Sequence, residues 1–186
     1  MGIAERMSDF LARRGVSIRE LKLLGGVVLV GVVLRGCYLA EISQAPDFTS
    51  PGMDAAYHDH WARGLAFGDW SLPPEYPDPQ IRTTPYFRPP GYPHFLALVY
   101  ALAGPSYVGP RIVQMLMGLA SSVLAYVLAR RLFGVSVGLL TALFMSLYWA
   151  FIYFEGELLA PGLLVLLTLL LLNVVVRWSD EPTWLR

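Results

Sequence analysis

Residues 85–104 read PYFRPPGYPHFLALVYALAG. A proline-rich, arginine-bearing leader runs straight into an apolar stretch of about 14 residues, where a membrane-crossing helix needs about 20. Whether this stretch crosses decides the topology of everything after it. Counted as a span, it would put Arg130 and Arg131 on the outer side and Glu155 and Glu157 inside, against the tendency of cytoplasmic ends to carry the Lys/Arg excess. Read as an interfacial or re-entrant helix, it leaves four spans, at 21–41, 108–130, 134–154 and 158–177, with both chain ends cytoplasmic. Arg13, Arg14, Arg19 and Lys22 then precede the first span, Arg130 and Arg131 separate the second from the third, and Arg177 follows the fourth. All three basic groups fall on one side.

Composition agrees with a membrane class. Hydrophobic residues make up 55% of the 186 and charged residues only 15%, where a soluble domain carries about 25% charge. The 14 basic residues balance 14 acidic ones, so no bulk positive field argues for nucleic acid. The single cysteine, Cys37, excludes an internal disulfide framework. The first apolar run is too long for a cleavable leader and ends in Arg35-Gly36-Cys37-Tyr38 rather than a small-residue cleavage pattern. The expected fold is an all-α polytopic membrane protein with about four spans and amphipathic interfacial helices, near 54–67 and 91–104, in a long first extracytoplasmic loop over 42–107. A second outer turn is expected at 155–157. Residues 1–20 and 178–186 form the cytoplasmic ends, and the chain reads as one module of something larger.

The first outer loop, of about 65 residues, is far longer than ordinary connections, and long ordered loops are usually functional. In its first half Tyr57, Trp61 and Leu65 recur at i, i+4 and i+8, an aromatic stripe suited to a headgroup boundary. Asp54 stands at the start of that helix. On residue type alone it is an N-cap; the functional reading is a carboxylate with free lone pairs, able to act as general base. His58 follows one turn later, at ligand spacing from Asp54, while His58 and His60 diverge around the helix. Asp59 and Arg63 read as an exposed i,i+4 ion pair. From Trp70 to Arg82 prolines forbid regular helix, and Tyr86, Phe87 and Arg88 then return in an extended conformation imposed by the following prolines.

Charges at membrane depth are costly without a partner. Arg35 near the outer end of the first span reads as snorkelling, with Glu41 or an outer-loop carboxylate as its possible partner; Arg111 opens the second span. Glu155 and Glu157 diverge on the outer turn and read as solvated, with at most one pointing into a cleft shared with Asp54. Gln114, Ser121, Ser122 and Asn173 read as helix-packing residues. Arginines suit a phosphate and carboxylates suit a hydroxyl that must lose a proton, so the patch suits a phosphate-bearing amphiphile.

The runs MDAAYHDHWARGLAFGDW, PYFRPPGYPHFLALVYALAGPS, RIVQMLMGLASSVLAYVLARRLFG and SLYWAFIYFEGELLAP together resemble the N-terminal part of the GT-C superfamily of integral-membrane glycosyltransferases. The resemblance is to the family 39 branch of dolichyl-phosphate-mannose-protein mannosyltransferases and aminoarabinose transferases. It implies transfer of a sugar from a polyprenyl-phosphate donor to a glycan, lipid or protein acceptor on the extracytoplasmic face, in a bacterium at the plasma (inner) membrane. It places the essential carboxylate at Asp54, a second acid at Glu157 or Glu155, and the cation that meets the lipid phosphate at Arg88, with Tyr86, His58, Arg63 and Arg111 as further substrate-binding candidates. Many relatives carry the second acid directly before a proline, whereas here Ala160 precedes Pro161, so the choice between the two glutamates stays open. No cofactor is assigned, and a divalent metal is left open. The alternative function is a non-catalytic module that binds lipid phosphate; a transporter is disfavoured because no pair of broken helices marks a midplane site.

Overall fold

The computed structural model describes residues 16–72 and 88–180, in which seven α-helices and one short 3₁₀ turn occur and no strand is present. The helices are α1 (Ile18–Ile42), α2 (Met53–Phe67), α3 (Gly91–Ala103), α4 (Val108–Phe133), α5 (Val135–Leu147), α6 (Trp149–Gly156) and α7 (Pro161–Asp180), with the 3₁₀ turn at Pro46–Phe48. Three of them, α1, α4 and α7, are long and apolar enough to cross a membrane, and α5 with α6 forms a fourth candidate bent by 49°. The chain is an integral membrane protein.

α1 begins at Ile18, three residues before the expected start of the first span. Ser17 and Glu20 form a reciprocal capping box, with Glu20 N donating to Ser17 Oγ at 3.1 Å and Ser17 N to Glu20 Oε2 at 3.4 Å. Glu20 is then used twice, because Tyr126 and Arg130 of α4 also bond its carboxylate. α4 is the hub, touching α1, α3, α5, α6 and α7. Its buried face runs through Gly118, Ser121, Ser122, Ala125 and Ala129. Small residues of this kind let backbones approach in a bundle where lipid supplies no hydrophobic drive between helices. Gly134, at φ +92°, lets α4 reverse directly into α5.

The span expected at 134–154 is broken at Tyr148, which adopts an extended φ/ψ of −69°/109°. The physical reason lies in α1. Arg35 is buried and needs acceptors, and its Nη1 donates to the carbonyls of Ser146 at 3.4 Å and Gly31 at 3.3 Å. Interrupting the i→i−4 ladder after Ser146 leaves that carbonyl available to the guanidinium. Tyr38 packs edge-on against Trp149 just past the break, 5.0 Å between centroids.

α3 was expected to lie as an interfacial helix beside Asp54. One of its faces is not free: Tyr92, Leu96, Ala97 and Tyr100 pack with Ala55 and Ala62 of α2 and with Leu158. Leu98 and Leu102 remain exposed on its other side. The pairing of α2 with α3 builds a small polar-edged layer across one end of the bundle, and the candidate site sits there. At α7 the bundle is met along one edge, where Asn173 Nδ2 donates to Leu124 O at 3.1 Å and Leu169 O at 2.8 Å. Leu164, Leu167, Leu170, Leu171, Leu172, Val174 and Val175 on its other side are exposed.

Candidate functional site

A cleft of about 800 Å³ opens at this end, with Asp54, Arg88 and Glu157 on its wall alongside Asp47, Met53 and Tyr153. Asp54 does not serve as an N-cap. Gly52 holds that position with no side-chain bond, so the Asp54 carboxylate is released from backbone duty and pairs with Arg88, whose Nη2 donates to Asp54 Oδ1. Both side chains remain close to half exposed. Met53 beside it takes a left-handed φ of +50°, a conformation that costs a non-glycine residue roughly 1 kcal/mol or more and tends to occur at binding sites.

Of the two candidate second acids, only Glu157 lines this cleft. Burial pushes its carboxyl above the ordinary glutamate range, Arg111 partly offsets that, and Asp47 adds to it. Glu155 is not solvated as expected. It accepts a bidentate pair from Arg35, Nε to Oε2 at 2.6 Å and Nη2 to Oε1 at 2.7 Å, with both side chains 3% exposed or less. Arg35 therefore does not snorkel: its partner is Glu155 on α6, and Glu41 is not involved. A Cβ added at Gly118 would fall 1.9 Å from Glu155 Oε1, so that glycine makes room for the pair.

The other predicted residues are dispersed. Arg63 is committed to Asp59, its Nε 2.9 Å from Oδ2, and lies over the Tyr107 ring at 4.8 Å. Asp59 is not an exposed partner: it is buried and also accepts from Tyr100 Oη at 2.5 Å and Tyr107 Oη at 3.0 Å. This cluster ties α2 to α3 and to the start of α4. Arg111 is buried too, donating through Nε to Gly156 O at 2.7 Å and through Nη1 to Phe48 O at 2.9 Å, with Phe48 stacked 3.9 Å beneath it. Neither Arg63 nor Arg111 lines the cleft. Tyr86 lies outside the described residues, as does most of the loop between Trp70 and Arg88.

His58 is buried edge-on against Tyr92 at 4.8 Å, and its Nδ1 has no hydrogen-bond partner. Burial holds its pKa down at about 4; Asp54 pulls the other way, and Arg88 adds to the depression. It is neutral near pH 7 and supplies no charge to a phosphate. Because the folded pKa lies below the ordinary value of 6.5, its neutral form contributes stability above pH 6.5 that is lost as the pH falls toward 4. Thermal melting of the wild type should therefore decline over that window more steeply than that of His58→Phe, which has no proton to take up. Equal slopes for the two proteins would contradict this assignment.

Among the described residues no three His, Cys, Asp or Glu side chains converge as a metal-ligand set. Sequence reasoning also missed the contacts of Gln114, which is buried behind the Glu157 turn with Tyr92 bonded to its side-chain oxygen. Its only signal was an amide in an apolar helix, a pattern that helix packing alone accounts for.

The arrangement is that of a polytopic helical membrane protein with an arginine–carboxylate pair and a second carboxylate lining one cleft. The chain belongs to the dolichyl-phosphate-mannose-protein mannosyltransferase family, whose profile matches residues 87–185. That family is made up of glycosyltransferases that use lipid-linked sugars. The match contains Arg88, Gln114 and Glu157, whereas Asp54 precedes it. No curated protein and no solved structure matches the chain.

Proposed function

We propose that this chain is the N-terminal catalytic module of a glycosyltransferase that moves a sugar from a polyprenyl-phosphate donor to an acceptor hydroxyl at the extracytoplasmic face. The observation that carries the reading is the Arg88–Asp54 pair on the wall of the cleft that also holds Glu157. Asp54 takes the proton of the acceptor hydroxyl as its oxygen attacks the anomeric carbon. The bond from that carbon to the phosphate oxygen breaks, the electron pair leaves with the phosphate, and Arg88 stabilises the charge that develops there. Glu157, across the cleft, orients the acceptor or the sugar. Displacement in one step inverts the anomeric centre. Supporting the extracytoplasmic placement of the cleft, Arg130, Arg131 and Arg177 lie in the last turns of α4 and α7, at the opposite end of α4 from Arg111.

Binding tests the first half of this reading. Arg88→Ala removes the charged donor meant for the phosphate, and hydrogen bonds to charged groups contribute about 1.5–3 kcal/mol. Undecaprenyl phosphate in nanodiscs should accordingly bind the variant about 10- to 100-fold more weakly than wild type, with insertion unchanged. Equal affinity would remove Arg88 from the phosphate site. Saturable binding by wild type without turnover, in the full-length protein supplied with donor and acceptor, would favour a non-catalytic lipid-phosphate module.

A further inference from the structure

The turn that presents Glu157 to the cleft is held from outside its own sequence. α6 stops at Gly156, and Glu157 is already extended, with φ −92° and ψ 151°. The last carbonyls of a helix have no partner within it. Here three consecutive carbonyls are taken by two side chains one turn apart on α4. Gln114 Nε2 donates to Glu155 O at 2.8 Å and to Glu157 O at 2.5 Å, and Arg111 Nε donates to Gly156 O between them at 2.7 Å. The oxygen of Gln114 accepts from Tyr92 Oη of α3, and the Tyr92 ring carries His58 of α2, one turn after Asp54, against its face. A continuous contact path thus joins the wall bearing Asp54 to the wall bearing Glu157. Gln114 itself is 1% exposed and does not line the cleft, so it does not touch a ligand there.

We propose that Gln114 is a positioning residue for the transfer reaction: it sets Glu157 at its place across the cleft from Asp54 and couples the two carboxylate walls through Tyr92. This rests on reading the cleft as the transferase site. A primary amide suits the task because its one nitrogen carries two N–H groups for two carbonyls two residues apart, while its oxygen serves Tyr92. A carboxylate there would set oxygen against oxygen, and an aliphatic side chain would leave buried carbonyls unpaired. Misplacing a reacting group by about 1 Å can lower a rate by about 10²-fold.

Gln114→Met, which keeps length and approximate volume, provides the test in the full-length protein. The expected result is a kcat for sugar transfer lowered about 10- to 100-fold, with an unchanged KM for the polyprenyl-phosphate donor, which Arg88 governs. In a Glu157→Gln background the same substitution should have no further effect, because the group it places has gone. An equal loss in both backgrounds overturns the proposal. A second measurement does not need catalysis. With Cys37 replaced by Ala, spin labels at Leu65→Cys on α2 and Tyr153→Cys on α6 report the separation of the two walls. Gln114→Met should shift or broaden that distance distribution and Glu157→Gln should not; a distribution unchanged by Gln114→Met overturns the proposal whatever the activity does. If Glu157→Gln transfers sugar at the wild-type rate, the functional reading of Glu157 has failed, and the distance measurement alone then decides whether Gln114 holds the turn. Should Gln114→Met fail to insert, Tyr92→Phe removes only the bond that orients the amide, and it should give the same pattern at smaller amplitude.

Discussion

Asp54→Asn is expected to abolish sugar transfer while tightening, not weakening, the binding of a polyprenyl phosphate. The two effects have separate causes. An amide cannot accept the acceptor's proton, and loss of a positioned general base lowers rates by about 10²–10⁴-fold. In the resting protein, however, the same carboxylate occupies Arg88, and a phosphate must compete with it. Both side chains are close to half exposed, so the pair is screened by water, and exposed pairs of this kind contribute roughly 0.2–1 kcal/mol. Freeing Arg88 and removing a like charge beside the phosphate should therefore strengthen binding about 2- to 5-fold. Transfer assayed in proteoliposomes and undecaprenyl phosphate titrated into nanodiscs give the two readouts. Retained transfer would remove Asp54 from the chemistry; unchanged or weaker binding would mean that the Arg88–Asp54 pair does not compete with the ligand.

Glu155→Ala should be the most destabilising single change in the described bundle. Arg35 and Glu155 are almost fully buried and bonded bidentately. Removing the acid leaves a guanidinium with only two carbonyls, those of Gly31 and Ser146, at 3.3–3.4 Å. Breaking a buried ion pair by removing one partner costs about 3–5 kcal/mol. Replacing both partners with apolar residues of similar volume, Arg35→Met with Glu155→Leu, should recover most of that loss, because neither charge then needs desolvation compensation. Unfolding by SDS titration in mixed micelles would compare the three proteins. A double variant as unstable as Glu155→Ala alone would show that the pair holds α1 to α6 by something other than mutual charge neutralisation. The transfer assay separates this from catalysis, since Glu155 stands away from the cleft and its loss should act through folding.

The division between Glu155 and Glu157 shows why part of the site was illegible. The two residues are two apart, in a stretch FEGELL with no proline or periodicity to mark a face. α6 ends between them, at Gly156, so one of the pair can be drawn into the bundle while the other faces the cleft, but nothing local says which. α1 decides it, by bringing Arg35 alongside α6 and drawing Glu155 inward. The same long-range pairing explains why Arg35 looked like a snorkelling residue and why the break at Tyr148 left no mark in the segment 134–154. Asp59 with Arg63 misled in a similar way: the i,i+4 spacing was read correctly as a pair, but Tyr100 and Tyr107, more than 40 residues away, convert it from an exposed pair to a buried knot.

By itself the sequence determined the all-helical membrane class, because a helix crossing lipid must satisfy its backbone internally and present about 20 apolar residues whatever surrounds it. It also singled out Asp54 and Arg88, whose neighbours constrain them locally: Asp54 opens an amphipathic helix and Arg88 precedes two prolines. Only the tertiary structure decided that these two meet, that Glu157 rather than Glu155 joins them, and that Arg63, Arg111 and His58 turn away into the fold. The partners of a buried charge are chosen by which helices face each other, and in this chain those partners lie up to 120 residues apart.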